Sequence, residues 1–556
     1  MKQKKKFRLV FMCRIIFLLI LIIPFSSCKK NQMADLIVYN AKVYTVNDSV
    51  QTATAFAVKD GKFIAIGSNE KILKKYSSEN KMDVKGIFVY PGFFDAHCHF
   101  YEFGKGKLEL DLVGIKSYKE ILKMVKDEVP HRKKGEWILG GGWDQNNWEE
   151  KTFPTKDELD KITPDNPVFL SRIDGHAVLV NQKAIELSHI SSATKVEGGK
   201  IVAHGERPTG ILIDNAIDLV SKIIPPISKE QQIKVLLLAQ DECLKYGLTT
   251  VDDAGLPLEI INRIDSLQQS GQLKIKMFVM ISSDKETLSH FEKSGAYKTE
   301  RLNVSSMKLY ADGALGSRGA ALIEPYSDDK NNLGLMLNDE KYFEGMLQKA
   351  IAMNFQVCTH AIGDRANRFM LNLYGKYLKG KNDLRWRIEH AQIVHPDDWE
   401  KFSRYSIIPS VQPTHCTSDM YWVKNRLGES RMKGAYPYKT LLNYAGILPI
   451  GSDFPVEEVN PLLGFYAAIT RQNTTGFPEG GFYLNERLTR EEALKGMTIW
   501  SAYANKEEKD KGSIAVGKSA DFVILSDDIM TCNERKIPKV KVKFTYVNGE
   551  RVYQEK

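Results

Sequence analysis

Short apolar runs bounded by turn residues recur along this chain and, through its middle, are interspersed with stretches of helical period. Near the amino end the β-prone runs are 36–40, 42–46, 55–58 and 62–66. Near the carboxyl end they are 522–525 and 543–547, the latter followed by Asn548-Gly549, a hairpin signal. Neither group has enough strands for a stable sheet alone. Together, 35–86 and 512–556 are expected to form one small β-sandwich that sets the chain ends side by side. Between them lie strand-like runs at 87–97, 248–252, 274–280, 305–311, 354–360, 385–390, 407–412 and 447–453, with amphipathic stretches such as 229–246 and 339–353 as intervening helices. Residues 102–230, between the first two strands, are too many for a loop without structure of its own, and read as an inserted subdomain covering the mouth of whatever the strands build.

Several of these strands finish in metal-type ligands. The first runs into Asp95-Ala96-His97-Cys98-His99. Side chains alternate along a strand, so His97 and His99 share a face and Cys98 points away. Two imidazoles at one strand end are half of a zinc site, or else two unrelated polar residues at a strand exit. Later strands favour the first reading: 354–360 ends in His360, 385–390 in His390, and 447–455 carries Asp453 just before Phe454-Pro455. Lys308 sits among apolar neighbours in 305–311. Ligands delivered singly from the carboxyl ends of successive strands are what a (β/α)8 active site requires. The expected fold is therefore α/β, a TIM barrel over 87–511.

Seven segments carry a resemblance: PGFFDAHCH (91–99), DGHAVLVN (174–181), KLYADGALGSRGA (308–320), THAIGDRAN (359–367), RIEHAQ (387–392), SVQPTH (410–415) and SDFPV (452–456). In this order they resemble the amidohydrolase superfamily, in its amidohydrolase-3 branch of YtcJ-like and N-substituted formamide deformylase-like proteins. The stretch 512–521 resembles that group's entry into its closing sheet. The resemblance implies one or two zinc ions per chain, other divalent metals being open. It puts His97 and His99 on the more buried metal and His360 and His390 on the more exposed one. Lys308 would bridge them as a carbamate, whose two anionic oxygens an ammonium lacks; the alternatives are a buried lysine paired with Asp312, and a single metal. Asp453 would be both metal ligand and proton shuttle. His176, within the insertion, would hold the substrate carbonyl or else serve as a hinge contact. Gln412, His415 and Arg318 are candidate substrate contacts. Trp143 and Trp148 are candidates for lining the pocket, with core packing as the alternative. The implied activity is hydrolysis of a non-peptide, amide-type carbon–nitrogen bond by a metal-activated hydroxide. Another hydrolysis, a deamination or an isomerisation on the same scaffold stays open, as does a non-catalytic surface lipoprotein that binds a small molecule.

Composition changes little: 43% hydrophobic and 26% charged residues in 556 are ordinary for a large folded protein. Of the formal charge of +9, Lys2, Lys4, Lys5, Lys6, Arg8 and Arg14 supply six units before any acidic residue appears. No long basic run remains, so nucleic acid is not implied. That basic start, an apolar core at 15–23 and Phe25-Ser26-Ser27-Cys28 fit a secretory signal ending in a lipobox, although Phe25 departs from the usual small aliphatic residue. Residues 1–27 would be the signal peptide, Cys28 the lipidated amino terminus and 28–34 a tether, with the body outside the cytoplasm on a bacterial membrane. An uncleaved anchor helix is the alternative. Cys98, Cys243, Cys358, Cys416 and Cys532 are scattered and odd in number, and read as structural rather than as a disulfide framework. The expected partners are a small-molecule substrate and a membrane through the lipid anchor, with a homodimer allowed.

Overall fold

In the computed structural model, which describes residues 31–47, 51–191 and 193–556, seven parallel strands follow one another around a barrel. They are Phe93–Cys98, Leu248–Leu256, Lys276–Ile281, Leu302–Tyr310, Gln356–Ala361, Arg387–His390 and Ile408–Ser410. Phe93–Cys98, Lys276–Ile281 and Gln356–Ala361 are buried at every position, as parallel strands covered by helices must be. The helices follow the apolar periodicity and stop at local chemistry. Lys229–Lys245 starts at Ser228, which forms a reciprocal capping box with Gln231. Glu340–Met353 starts at Asp339, whose side chain accepts from the Tyr342 N–H, and ends on Asn354 in the left-handed region.

Two expected strands differ. The run 447–453 forms no regular eighth strand, because Pro449 has no N–H to donate and the Ser452 N–H is taken by the Asp95 carboxylate. It still closes the barrel: Gly451 N donates to Val411 O at 3.1 Å on one side, and Ala96 N donates to Ile450 O at 3.1 Å on the other. The run 87–97 is two strands. Phe88–Pro91 pairs with Lys42–Tyr44 and Phe522–Leu525 in a terminal sheet, and the barrel strand starts at Phe93. The chain changes sheets at Gly92, where a Cβ would meet Thr249 Oγ1 at 2.2 Å. Only glycine permits that approach.

Both chain ends build the β-sandwich. A four-stranded sheet from residues 36–83 faces a six-stranded sheet in which 542–547 and 522–525 lie beside 88–91 and 42–44. Leu36, Val38, Phe56, Phe63, Val89, Phe522 and Ile524 fill the space between. Asp528 ties the two ends, accepting from Lys42 Nζ at 2.8 Å, Tyr44 Oη at 2.8 Å and, through its other oxygen, Tyr90 Oη at 2.9 Å. Between the first and second barrel strands stands a six-stranded mixed sheet from Leu110–Asp111 to Arg207–Asp214, with its own apolar core around Trp143, Trp148, Ile138 and Leu170. The five cysteines of the body are free, four of them buried. No helix among the described residues is long and apolar enough to cross a membrane. The signal segment and Cys28 lie outside the described residues.

Candidate metal centre at the barrel mouth

The site is assembled where the last closing segment meets the first strand. Asp95, wholly buried, accepts from the His97 N–H at 3.2 Å, the Ser452 N–H at 3.0 Å and the Ser452 hydroxyl at 2.6 Å. Burial pushes its carboxyl up to about 7, against those hydrogen bonds. Asp453 N then donates to His97 O at 2.8 Å and His99 N to Phe454 O at 2.8 Å. A Cβ on Gly451 would lie 2.5 Å from His97 N, so the two segments can approach only because residue 451 is glycine. Asp453 itself has φ +64° and His390 φ +73°, in the left-handed region that non-glycine residues seldom occupy.

This places one carboxylate among four histidines. Asp453 Oδ1 lies 3.2 Å from His99 Nε2 and 3.6 Å from His97 Nε2, and Oδ2 lies 3.6 Å from His415 Nε2 and 3.9 Å from His390 Nδ1. His97 Nδ1 is 2.6 Å from Glu389 Oε2, so the ring donates there and turns the Nε2 lone pair to the mouth. His390 Nδ1 donates in the same way to Gln412 Oε1 at 2.8 Å. Burial lowers His97 to about 4, reinforced by Lys308 and opposed by Glu389. Burial takes His390 and His360 well below the usual range and His415 below it. Burial thereby favours the neutral form of His97, His360, His390 and His415, the form that ligates metal. Burial would raise Asp453, but contact with His99 opposes it and the carboxyl lies well below its usual range.

Lys308 Nζ reaches the same place, 3.0 Å from His97 Nε2, and burial lowers its pKa. Asp312 is not its partner: that carboxylate accepts the N–H groups of Ala321 at 2.9 Å, Ile362 at 3.0 Å and Gly363 at 2.8 Å. His360 lies beside the cluster, its ring 4.6 Å from that of His390, while its Nε2 faces Gly313 O at 3.5 Å and Asp312 Oδ1 at 3.6 Å. The insertion brings His176 beside His360, with ring centres 5.0 Å apart. Burial disfavours the His176 imidazolium, but the Asp214 hydrogen bond at 2.7 Å outweighs it and raises the pKa.

Among the residues expected to touch substrate, Gln412 and His415 stand at the cluster. Arg318, half-buried, pairs with Asp328 at 3.0 Å. Trp143 is 1% exposed, its indole N–H donating to Leu170 O at 2.8 Å, and it packs with Trp148 inside the inserted sheet. Glu389, Asp95 and Asp214 escaped the sequence reading. Glu389 left a signal: Arg387 and Glu389 share one face of a short strand, and in a closed barrel that face is the interior. Arg387 there donates to Asp252 Oδ2 at 3.1 Å and to the Ala96 carbonyl at 3.1 Å.

The donor atoms of His97, His99 and Asp453 lie within 4.8 Å of one another, as do those of His390, His415 and Asp453. Tetrahedral zinc with bonds of roughly 2.0–2.1 Å holds its ligand atoms roughly 3.4 Å apart, between the 3.2 and 3.6 Å separations here. His415 Nε2 and Asp453 Oδ1 are buried without a hydrogen-bond partner among the described residues. Neutral imidazoles, one carboxylate and orphaned buried acceptors fit a divalent metal ion. Such a donor set at the carboxyl ends of barrel strands defines a metal-dependent hydrolase. The amidohydrolase family profile matches residues 81–553, and the chain belongs to that family. It is 34% identical to the YtcJ protein of Bacillus subtilis (strain 168), over 92% of this chain and 98% of that protein. It is 24% identical to the N-substituted formamide deformylase of Arthrobacter pascens, over 94% of this chain and 99% of that enzyme. A crystal structure of an uncharacterized metal-dependent hydrolase from Pyrococcus horikoshii OT3 superposes with a TM-score of 0.74 at 30% identity, covering 90% of this chain and 99% of that one.

Proposed function

We propose that this chain hydrolyses an amide-type, non-peptide carbon–nitrogen bond in a small molecule, using zinc. The observation that carries the reading is the Asp453 carboxylate, each oxygen of which faces two histidines. When bound, the metal supplies Lewis acidity, lowering the pKa of water from about 15.7 to roughly 7 and polarising the carbonyl. Asp453 takes the proton from the attacking water and passes it to the leaving nitrogen. His176, as the imidazolium that its contact with Asp214 favours, donates from Nε2–H to the substrate carbonyl oxygen. Burial favours the uncharged amine of Lys308, the form that adds carbon dioxide to give a carbamate and one released proton, and as that carbamate Lys308 would help to hold the metal. The formamide deformylase relative supports the bond class. The body is proposed to be anchored outside the cytoplasm through lipidated Cys28.

The test is the purified body assayed, with and without zinc, against N-acyl amines, formamides, cyclic amides and esters. Zinc-dependent cleavage of the carbon–nitrogen bond in one of the first three classes is expected. Ester cleavage alone, or turnover indifferent to chelation, overturns the proposal.

A further inference from the structure

The inserted sheet ends in a feature that the hydrolytic chemistry does not use directly. Asp214, the last residue of Arg207–Asp214, has φ +51° and ψ −129°, a backbone state costly to a non-glycine residue. Its side chain is fully buried, with Oδ1 2.7 Å from His176 Nδ1. Oδ2 has no hydrogen-bond partner among the described residues. Both oxygens press into a notch on the loop after the fourth barrel strand. A Cβ on Gly313 would lie 2.6 Å from Oδ1, and one on Gly319 would lie 2.6 Å from Oδ2. Asp214 N also donates to His176 O at 3.1 Å, so the two residues are joined through main chain and side chain. A strained backbone, a carboxylate taken out of water and two glycines that give way to it together point to a constraint stronger than docking requires.

We infer that Asp214 is the positioning residue for His176: it fixes the ring over the barrel mouth, with Nδ1–H given to the carboxylate and Nε2–H left to address the substrate. A carboxylate accepting from Nδ1–H holds that proton in place and stops rotation of the ring, as the outer partners of ligating histidines do. The glycine notch on the barrel loop makes this alignment depend on how the inserted sheet sits against the barrel. The inference rests on the reading of His176 as the substrate-facing residue.

The test uses zinc-loaded, ¹⁵N-histidine-labelled full-length protein, with the His176 ring signals assigned by His176→Ala. Wild type is expected to show a proton on Nδ1. Asp214→Ala should lose that signature at unchanged zinc content, whereas Asp214→Asn, whose amide oxygen still accepts, should keep it. On whichever amide the screen identifies, Asp214→Ala should lower kcat by about 10–100-fold with KM within about threefold, and Asp214→Asn should recover most of the loss. An unprotonated Nδ1 in wild type, or ring signals unmoved by Asp214→Ala, overturns the inference. If the ring signals respond as expected but His176→Ala turns over normally, the substrate-facing reading of His176 fails while the positioning by Asp214 stands.

Discussion

Asp453 occupies the one point from which a single carboxylate meets His97, His99, His390 and His415. Asp453→Asn keeps an oxygen for the metal and loses the proton acceptor. General acid–base groups contribute about 10²–10⁴-fold, so kcat should fall at least about 10³-fold, while bound zinc falls far less than in His97→Ala. Near wild-type turnover would sink the mechanism. Gly451 answers to sterics alone: in Gly451→Ala the new Cβ, 2.5 Å from His97 N, must push the closing segment off the first strand. Zinc content and activity should fall together there, read by metal analysis of purified protein. Of these residues, His97, His99, His390 and Asp453 were legible in the sequence because each stands at the end of a strand-like run. Glu389 and Asp95 were not, because a buried carboxylate in a strand looks like an exposed one until the barrel closes around it.

Among the elements, the sandwich depends on Asp528 because it joins strands from opposite chain ends. Burial would raise its carboxyl, but hydrogen bonds from Lys42, Tyr44, Thr531 and Tyr90 hold it down at about 2. A folded-state pKa below the ordinary value of about 3.9 means that its stabilisation is present above about pH 4 and is lost as pH falls towards about 2. Asp528→Ala, which strands those donors, should cost about 1–3 kcal/mol at pH 7. In urea unfolding its gap from wild type should narrow by pH 3; a gap that does not change with pH would refute the assignment. The strand pattern foretold this sandwich but ran its strand 88–91 into the barrel, since both pieces are apolar and only the crowding of Gly92 against Thr249 marks the change of sheet. The eighth barrel segment was foreseen as a strand because its residues are apolar. Pro449 and the Asp95–Ser452 bonds, features of tertiary pairing, make it irregular.

At the scale of the whole molecule, the proposed lipid anchor predicts that Cys28→Ala releases the protein from membranes. Detergent partitioning of wild type and variant checks this, and membrane retention of the variant would favour an uncleaved helix. By itself the sequence determined the alternation that makes a barrel, the pairing of the chain ends, and ligand-type side chains at the ends of successive strands. Those properties are periodic or local, and hydrophobic burial acts on them the same way wherever the strand ends up. Only the tertiary structure decided which donors converge. It drew His415 to the cluster and Trp143 into the inserted core, turned His360 Nε2 towards Gly313 and Asp312, and brought Asp214 across from the insertion to His176. Those outcomes depend on separations of a few ångströms between residues far apart in the chain, set by glycine-sized gaps and buried carboxylates that no local pattern encodes.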